Sequence, residues 1–157
     1  MVPSAGALYP LELFVQVRRV HKLRLGLYHY NPQRHQLRRV REGDYTNDIS
    51  YCLVQKAIPK NASFLILITA LFERTTFKYG DRGYRFVLLE AGHVAQNINI
   101  ACSGFKLGSL NIGGFLDREF DKFLQLDGIT HSHIYMVAVG TLSNRDIGCA
   151  PTIKIGD

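Results

Sequence analysis

Residues 63–69 (Ser-Phe-Leu-Ile-Leu-Ile-Thr) form a near-continuous apolar run with β-branched side chains. A strand with one wet face alternates apolar with polar, so an unbroken run of this kind fits a strand buried on both faces. The longest helical signal follows at 84–103, where Tyr84, Val87, Leu88, Ala91, Ala95, Ile98 and Cys102 recur at helical spacing. Leu89, Val94 and Ile100 add apolar residues on other faces. A helix apolar on most sides is buried on most sides, in a core or against another subunit. Asp81 is placed to cap its N-terminus, since a carboxylate there accepts from the free amides of the first turn.

Shorter signals fill in the rest. Alternation over 11–17 predicts a strand, and residues 25–30 and 35–40, joined by the turn Asn31-Pro32-Gln33-Arg34, predict a hairpin. Residues 44–56 read as a short helix with Leu53, Val54 and Ala57 as its contacts, ended by Pro59 and Asn61. The stretch 72–80 is polar and aromatic, and a glycine-rich stretch with Gly108, Gly113 and Gly114 follows the long helix. Residues 117–126 predict a helix and 134–139 a last buried strand, with His131 and His133 flanking its start and facing solvent. This order is α+β, or a mixed three-layer arrangement. The 157 residues suggest one domain, and 46% hydrophobic with 20% charged residues lies in the globular range.

Charge and cysteine narrow the function classes. The net charge is +6, with basic residues gathered at Arg18, Arg19, Lys22, Arg24, Arg34, Arg38, Arg39 and Arg41. They fall on strands and a turn, where Lys and Arg protect an exposed sheet edge, and no nucleic-acid motif accompanies them. Cys52, Cys102 and Cys149 make an odd count with no CxxC pair, which argues against a disulfide framework or a cysteine zinc site. Cys102 reads as a small core residue. Glu90, His93 and Asn97 share one helical stripe, but a lone Glu-x-x-His pair is weak metal evidence, so no metal site is assigned. No apolar run reaches the ~18 residues that cross a bilayer, and no signal-peptide pattern opens the chain; the expectation is a cytoplasmic protein.

Three blocks carry a family resemblance. The first is Pro3-Ser4-Ala5-Gly6-Ala7-Leu8-Tyr9-Pro10-Leu11-Glu12; the second runs from Lys78-Tyr79-Gly80-Asp81-Arg82-Gly83-Tyr84 to Leu88-Leu89-Glu90-Ala91-Gly92-His93 and Gln96-Asn97; the third is Ile112-Gly113-Gly114-Phe115. Together, in order and spacing, they resemble the nitroreductase superfamily. Within it they are most similar to the SagB-type dehydrogenases, which include the azoline oxidases of thiazole/oxazole-modified peptide pathways.

The resemblance implies a single nitroreductase-like domain over residues 1–157, with a mixed central sheet flanked by helices. It also implies a homodimer with FMN as cofactor and hydride transfer to flavin as the chemistry. Pro3, Ser4, Ala5 and Gly6 would contribute to the flavin site from the partner subunit, and small residues suit the close backbone approach that a flat ring requires. Ile112, Gly113 and Gly114 would lie over the flavin near its reactive nitrogen. Lys78 and Tyr79 would serve the proton transfer that accompanies azoline oxidation, a task for a base tuned toward working pH. Arg74, Arg82 and Arg85 lie close in sequence, to act on Lys78 or to bind an anion.

On the residues alone, Lys78 reads equally as an exposed lysine and Tyr79 as a packing aromatic. The family's upstream arginine segment does not precede Ser4, so the chain resembles an N-terminally truncated domain, and Arg145 is the remaining candidate phosphate ligand. Azoline-bearing peptides are the favoured substrates. A nitro compound or quinone is the alternative, and a flavin-free scaffold of the same fold is a third reading.

Overall fold

The computed structural model describes residues 2–142. Six strands form one sheet: β1 Leu11–Val17, β2 Gly26–Asn31, β3 Gln36–Glu42, β4 Phe64–Leu71, β5 Leu107–Ile112 and β6 His131–Thr141. Five helices join them: α1 Thr46–Cys52, α2 Ile58–Asn61, α3 Glu73–Tyr79, α4 Arg82–Gly104 and α5 Asp117–Leu124. The strand order is β3-β2-β1-β4-β6-β5.

β4 pairs with β1 on one side and β6 on the other, as its apolar run requires. Its side chains alternate between two cores. Leu65 and Leu67 join Leu27, Ile49, Leu53, Phe120, Met136 and Ala138 beneath α1 and α5. Ile68, with Phe64 and Ile66, joins Ala91, Ala95, Cys102, Val137 and Val139 beneath α4. The sheet is therefore the middle of three layers, the α+β arrangement expected from the sequence.

Every ladder among the described residues is antiparallel, where a mixed sheet was expected. The crossover from β4 through α3 and α4 does bring β5 back in the direction of β4. β6 then enters between the two and opposes both, so the parallel pair never touches.

β3 is an edge strand, and its Arg38, Arg39 and Arg41 fit the edge-protection reading. Several of these arginines also fasten the fold. Arg41 donates to Phe123 O at 2.7 Å and lies over the Tyr45 and Phe123 rings. Arg18 and Arg19 donate to the Lys60 and Asn61 carbonyls of α2.

The other departures have local causes. The expected helix over 44–56 ends at Cys52, because Leu53 leaves to pair with Phe115. Val54 is then exposed, and Pro59 lies in the first turn of α2, where its missing N–H costs nothing. Asp81 makes no capping hydrogen bond. The chain passes from α3 into α4 through a tight turn in which Gly80 O and Asp81 O take the first amides instead. Gly83 permits that turn, since a Cβ there would lie 2.9 Å from Thr76 Cα in α3.

His133 does not face solvent; it is 1% exposed, and β6 begins earlier than its apolar residues suggest. A bulge opposite Ile68–Thr69 shifts the strand's parity by one residue. It turns His133 to the face of Met136, where its ring stacks on Phe120 at 3.9 Å. His131 is half-buried and bonds Thr69 Oγ1 at 2.8 Å. Cys52 and Cys102 are buried free thiols, and burial pushes the Cys52 thiol up to about 11.

Candidate active site

The loop before β1 packs against the end of α3. Residues Ala5–Ala7 form a single 3-10 turn, and Gly6, Ala7 and Tyr9 have φ of 61°, 55° and 45°. Two of these are not glycine, so the loop holds backbone strain of the kind that gathers at ligand clamps. Ser4 Oγ pins the turn by accepting from Tyr9 N–H at 3.0 Å. A Cβ at Gly6 would lie 2.8 Å from Tyr79 Oη and 3.0 Å from Lys78 Nζ. Glycine is favoured there by its left-handed φ, and a side chain would have to displace the ends of Lys78 and Tyr79.

Lys78 and Tyr79 end α3, where the sequence showed only a polar, aromatic stretch. Lys78 is exposed, with Nζ 5.4 Å from the Tyr79 ring centroid. Tyr79 is half-buried and meets Phe86 edge to face at 5.1 Å. From below, Glu90 on α4 is 4% exposed, with the Ser4 hydroxyl near its carboxyl. Burial pushes its carboxyl above the ordinary value, and the Ser4 hydroxyl opposes that only in part.

A second carboxylate stands on β1. Glu12 Oε1 forms an ion pair with Arg74 Nη1 at 2.7 Å, and its Oε2 lies 2.7 Å from His29 Nε2. Burial works against the charge, but the His29 and Arg74 hydrogen bonds hold the Glu12 carboxyl below its usual range. Arg74 also donates to Tyr9 O at 3.3 Å. Spacing gave no sign of this cluster, because Glu12 is simply the polar residue between Leu11 and Leu13 and its partners come from distant segments. Arg74 was singled out only for lying near Lys78.

Ile112, Gly113 and Gly114 close β5 at the same end of the sheet. Three strand spacings separate β5 from β1, or ~14 Å at about 4.8 Å each. The two glycines are exposed, and neither has a left-handed φ. A Cβ would find nothing closer than 3.7 Å at Gly113 or 3.8 Å at Gly114. The chain's own packing calls for glycine at neither place, so the bare backbone is open to something outside the chain. Arg145 lies outside the described residues. No three His, Cys, Asp or Glu side chains among the described residues form a metal-binding group, and no helix there is long and apolar enough to cross a membrane.

The nitroreductase family model matches residues 1–141. MJ1384 of Methanocaldococcus jannaschii, a nitroreductase by name, is 39% identical over 125 residues, covering 80% of this chain and 63% of the relative. The microcin B17-processing protein McbC of Escherichia coli is 27% identical, covering 90% of this chain and 54% of its own.

Among solved structures, a nitroreductase-type protein from Anabaena variabilis superposes with a TM-score of 0.85 at 29% identity, covering 96% of this chain and 31% of that one. The E. coli microcin synthetase McbBCD complex with truncated pro-MccB17 bound gives 0.75 at 27%, covering 91% and 56%. This chain spans between about half and two thirds of the length of these two curated relatives. With the fold and a family match over residues 1–141 in agreement, the chain belongs to the nitroreductase family.

Proposed function

We propose that this protein is an FMN-dependent oxidoreductase that oxidises azolines in modified peptides. The observation that carries the reading is the contact of Gly6 with Lys78 and Tyr79, which joins two sequence-predicted site segments in one place. The similarity to McbC, a microcin B17-processing protein, supports a peptide substrate.

FMN fits the groups present. The exposed backbone at Gly113–Gly114 and the small residues Pro3, Ser4, Ala5 and Gly6 are surfaces that a flat ring approaches closely. β1 and β5, which carry these surfaces, are ~14 Å apart across the sheet, so a flavin held between two copies would draw one surface from each. Tyr84, Leu88, Leu89 and Ile100 on α4 remain exposed in the single chain and supply an apolar face for that second copy.

FMN held there would supply the acceptor for the hydride that leaves one azoline carbon. The neighbouring carbon gives up a proton, and the chain's own groups take it. Lys78 Nζ is the acceptor and Tyr79 Oη stands beside it, both set against the Gly6 backbone. Gly6 brings substrate or ring within reach of both groups because no side chain intervenes. Ser4, accepting from Tyr9 N–H, holds the turn that carries Gly6.

The name of MJ1384 favours a second reading, reduction of a nitro compound or quinone. Two experiments separate the possibilities. The full chain is passed through gel filtration after FMN addition; a colourless protein refutes the flavoenzyme reading and leaves the scaffold. The flavin-loaded protein is then given a thiazoline peptide. Lys78→Ala is expected to abolish azole formation with flavin still bound, and loss of flavin instead makes Lys78 a cofactor ligand.

A further inference from the structure

We infer that Glu12, acting through Arg74, is the positioning residue that holds Lys78 and Tyr79 against the Gly6 turn. The inference rests on the reading of Lys78 as the proton acceptor and adds to it the device that aims the side chain.

α3 has seven residues and no side-chain cap at its N-terminus. A helix of two turns does not hold its own conformation or direction in water, so its aim comes from tertiary contacts. Arg74 lies one turn before Lys78, so both project from one face, ~6 Å apart along the axis. That face meets the N-terminal segment at both ends. At one end Arg74 Nη1 forms an ion pair with Glu12 Oε1 at 2.7 Å and donates to Tyr9 O at 3.3 Å. At the other, Lys78 and Tyr79 close on Gly6.

Glu12 is fixed in its turn. Its backbone lies in register with Thr69 of β4, and Thr69 Oγ1 donates to Glu12 O at 3.4 Å. Its second carboxylate oxygen is occupied by His29 from β2. Both oxygens have partners from different elements, so the carboxylate cannot swing without breaking one of them. Arg74 thereby ties α3 to the sheet and to the loop that Ser4 and Tyr9 close. Both contacts fall on Nη1, so that end of the guanidinium is held from the strand and from the loop at once.

The test compares the FMN-loaded protein with Glu12→Gln, Arg74→Gln and the double variant on a thiazoline peptide. Each single variant is expected to lose kcat on the order of tenfold or more, the scale of a misplaced acceptor. KM and bound flavin per protomer stay near those of the parent. The double variant is expected to be no slower than the slower single one, because the two residues act as one unit. Multiplying losses, or an unchanged kcat in Glu12→Gln, overturns the inference.

Amide hydrogen exchange gives a readout independent of turnover. In Glu12→Gln, residues 73–79 and 4–10 lose protection together while β4 and β6 keep theirs. If Lys78→Ala leaves azole formation intact, the base assignment fails and exchange alone decides the role of Glu12. Unchanged protection of both segments then overturns it.

Discussion

His133 makes the stability of this fold depend on pH in a way that one substitution removes. The imidazole is stacked on Phe120 and edged by Phe115 at 4.4 Å, with neither ring nitrogen bonded. Burial pulls its pKa from 6.5 to about 3, and the Tyr135 backbone, close but outside hydrogen-bond geometry, offsets little of this. The folded chain therefore holds a neutral ring while the unfolded chain takes a proton below 6.5. Stability from this group is complete above about pH 6.5 and falls as pH drops toward 3.

At about 1.4 kcal/mol for each tenfold, the whole effect is about 5 kcal/mol. Between about pH 7.5 and pH 5 the share lost is about 2 kcal/mol. For a chain of this size that is a fall in Tm of about 4–8 °C. His131, also lowered by burial, adds in the same direction. Thermal unfolding of parent and His133→Phe at both pH values, at one protein concentration, isolates the effect. The variant is expected to lose most of the pH slope whatever its absolute Tm. Parallel curves for the two proteins would refute the buried, unbonded imidazole.

Two further substitutions probe the core and the site. Phe120→Ala opens the column in which Phe120 meets His133, Phe115 and Phe123. Denaturant unfolding is expected to register a loss of about 3–5 kcal/mol, and under 1 would contradict that packing. Gly6→Ala forces a side chain into a left-handed position and toward Tyr79 Oη and Lys78 Nζ. A stability cost of about 1–2 kcal/mol is expected, together with a much larger fall in azoline turnover. Parent-like turnover would separate Gly6 from the site.

The layers of the fold were legible because hydrophobic pattern speaks for them. β4 announced itself by unbroken burial, α4 by its stripe, and α5 by a start at Asp117 that the structure repeats. The stripe on α4 was legible only in part. Val87, Ala91, Ala95 and Cys102 are buried, whereas Tyr84 and Leu88 are exposed, since one chain covers one face of that helix.

β5 escaped notice because its outward residues Ser109 and Asn111 are polar and Gly108 reads as a loop. α3 escaped because its direction comes from Arg74 and Glu12 rather than from periodicity. The misreading of His133 has one cause, a bulge whose single extra residue no alternation rule anticipates. At the site, the motif blocks located the Gly6 loop and Lys78–Tyr79. The carboxylates behind them, Glu12 and Glu90, became visible only when distant strands and helices met.

Anaerobic mixing of the FMN-loaded full chain with a thiazoline peptide puts the proposed chemistry to its most direct test. Bleaching of the visible flavin absorbance is expected, in step with the appearance of a peptide lighter by two hydrogens. A flavin that stays oxidised beside unchanged peptide, yet bleaches with a nicotinamide donor and is reoxidised by a nitro compound, would contradict azoline oxidation.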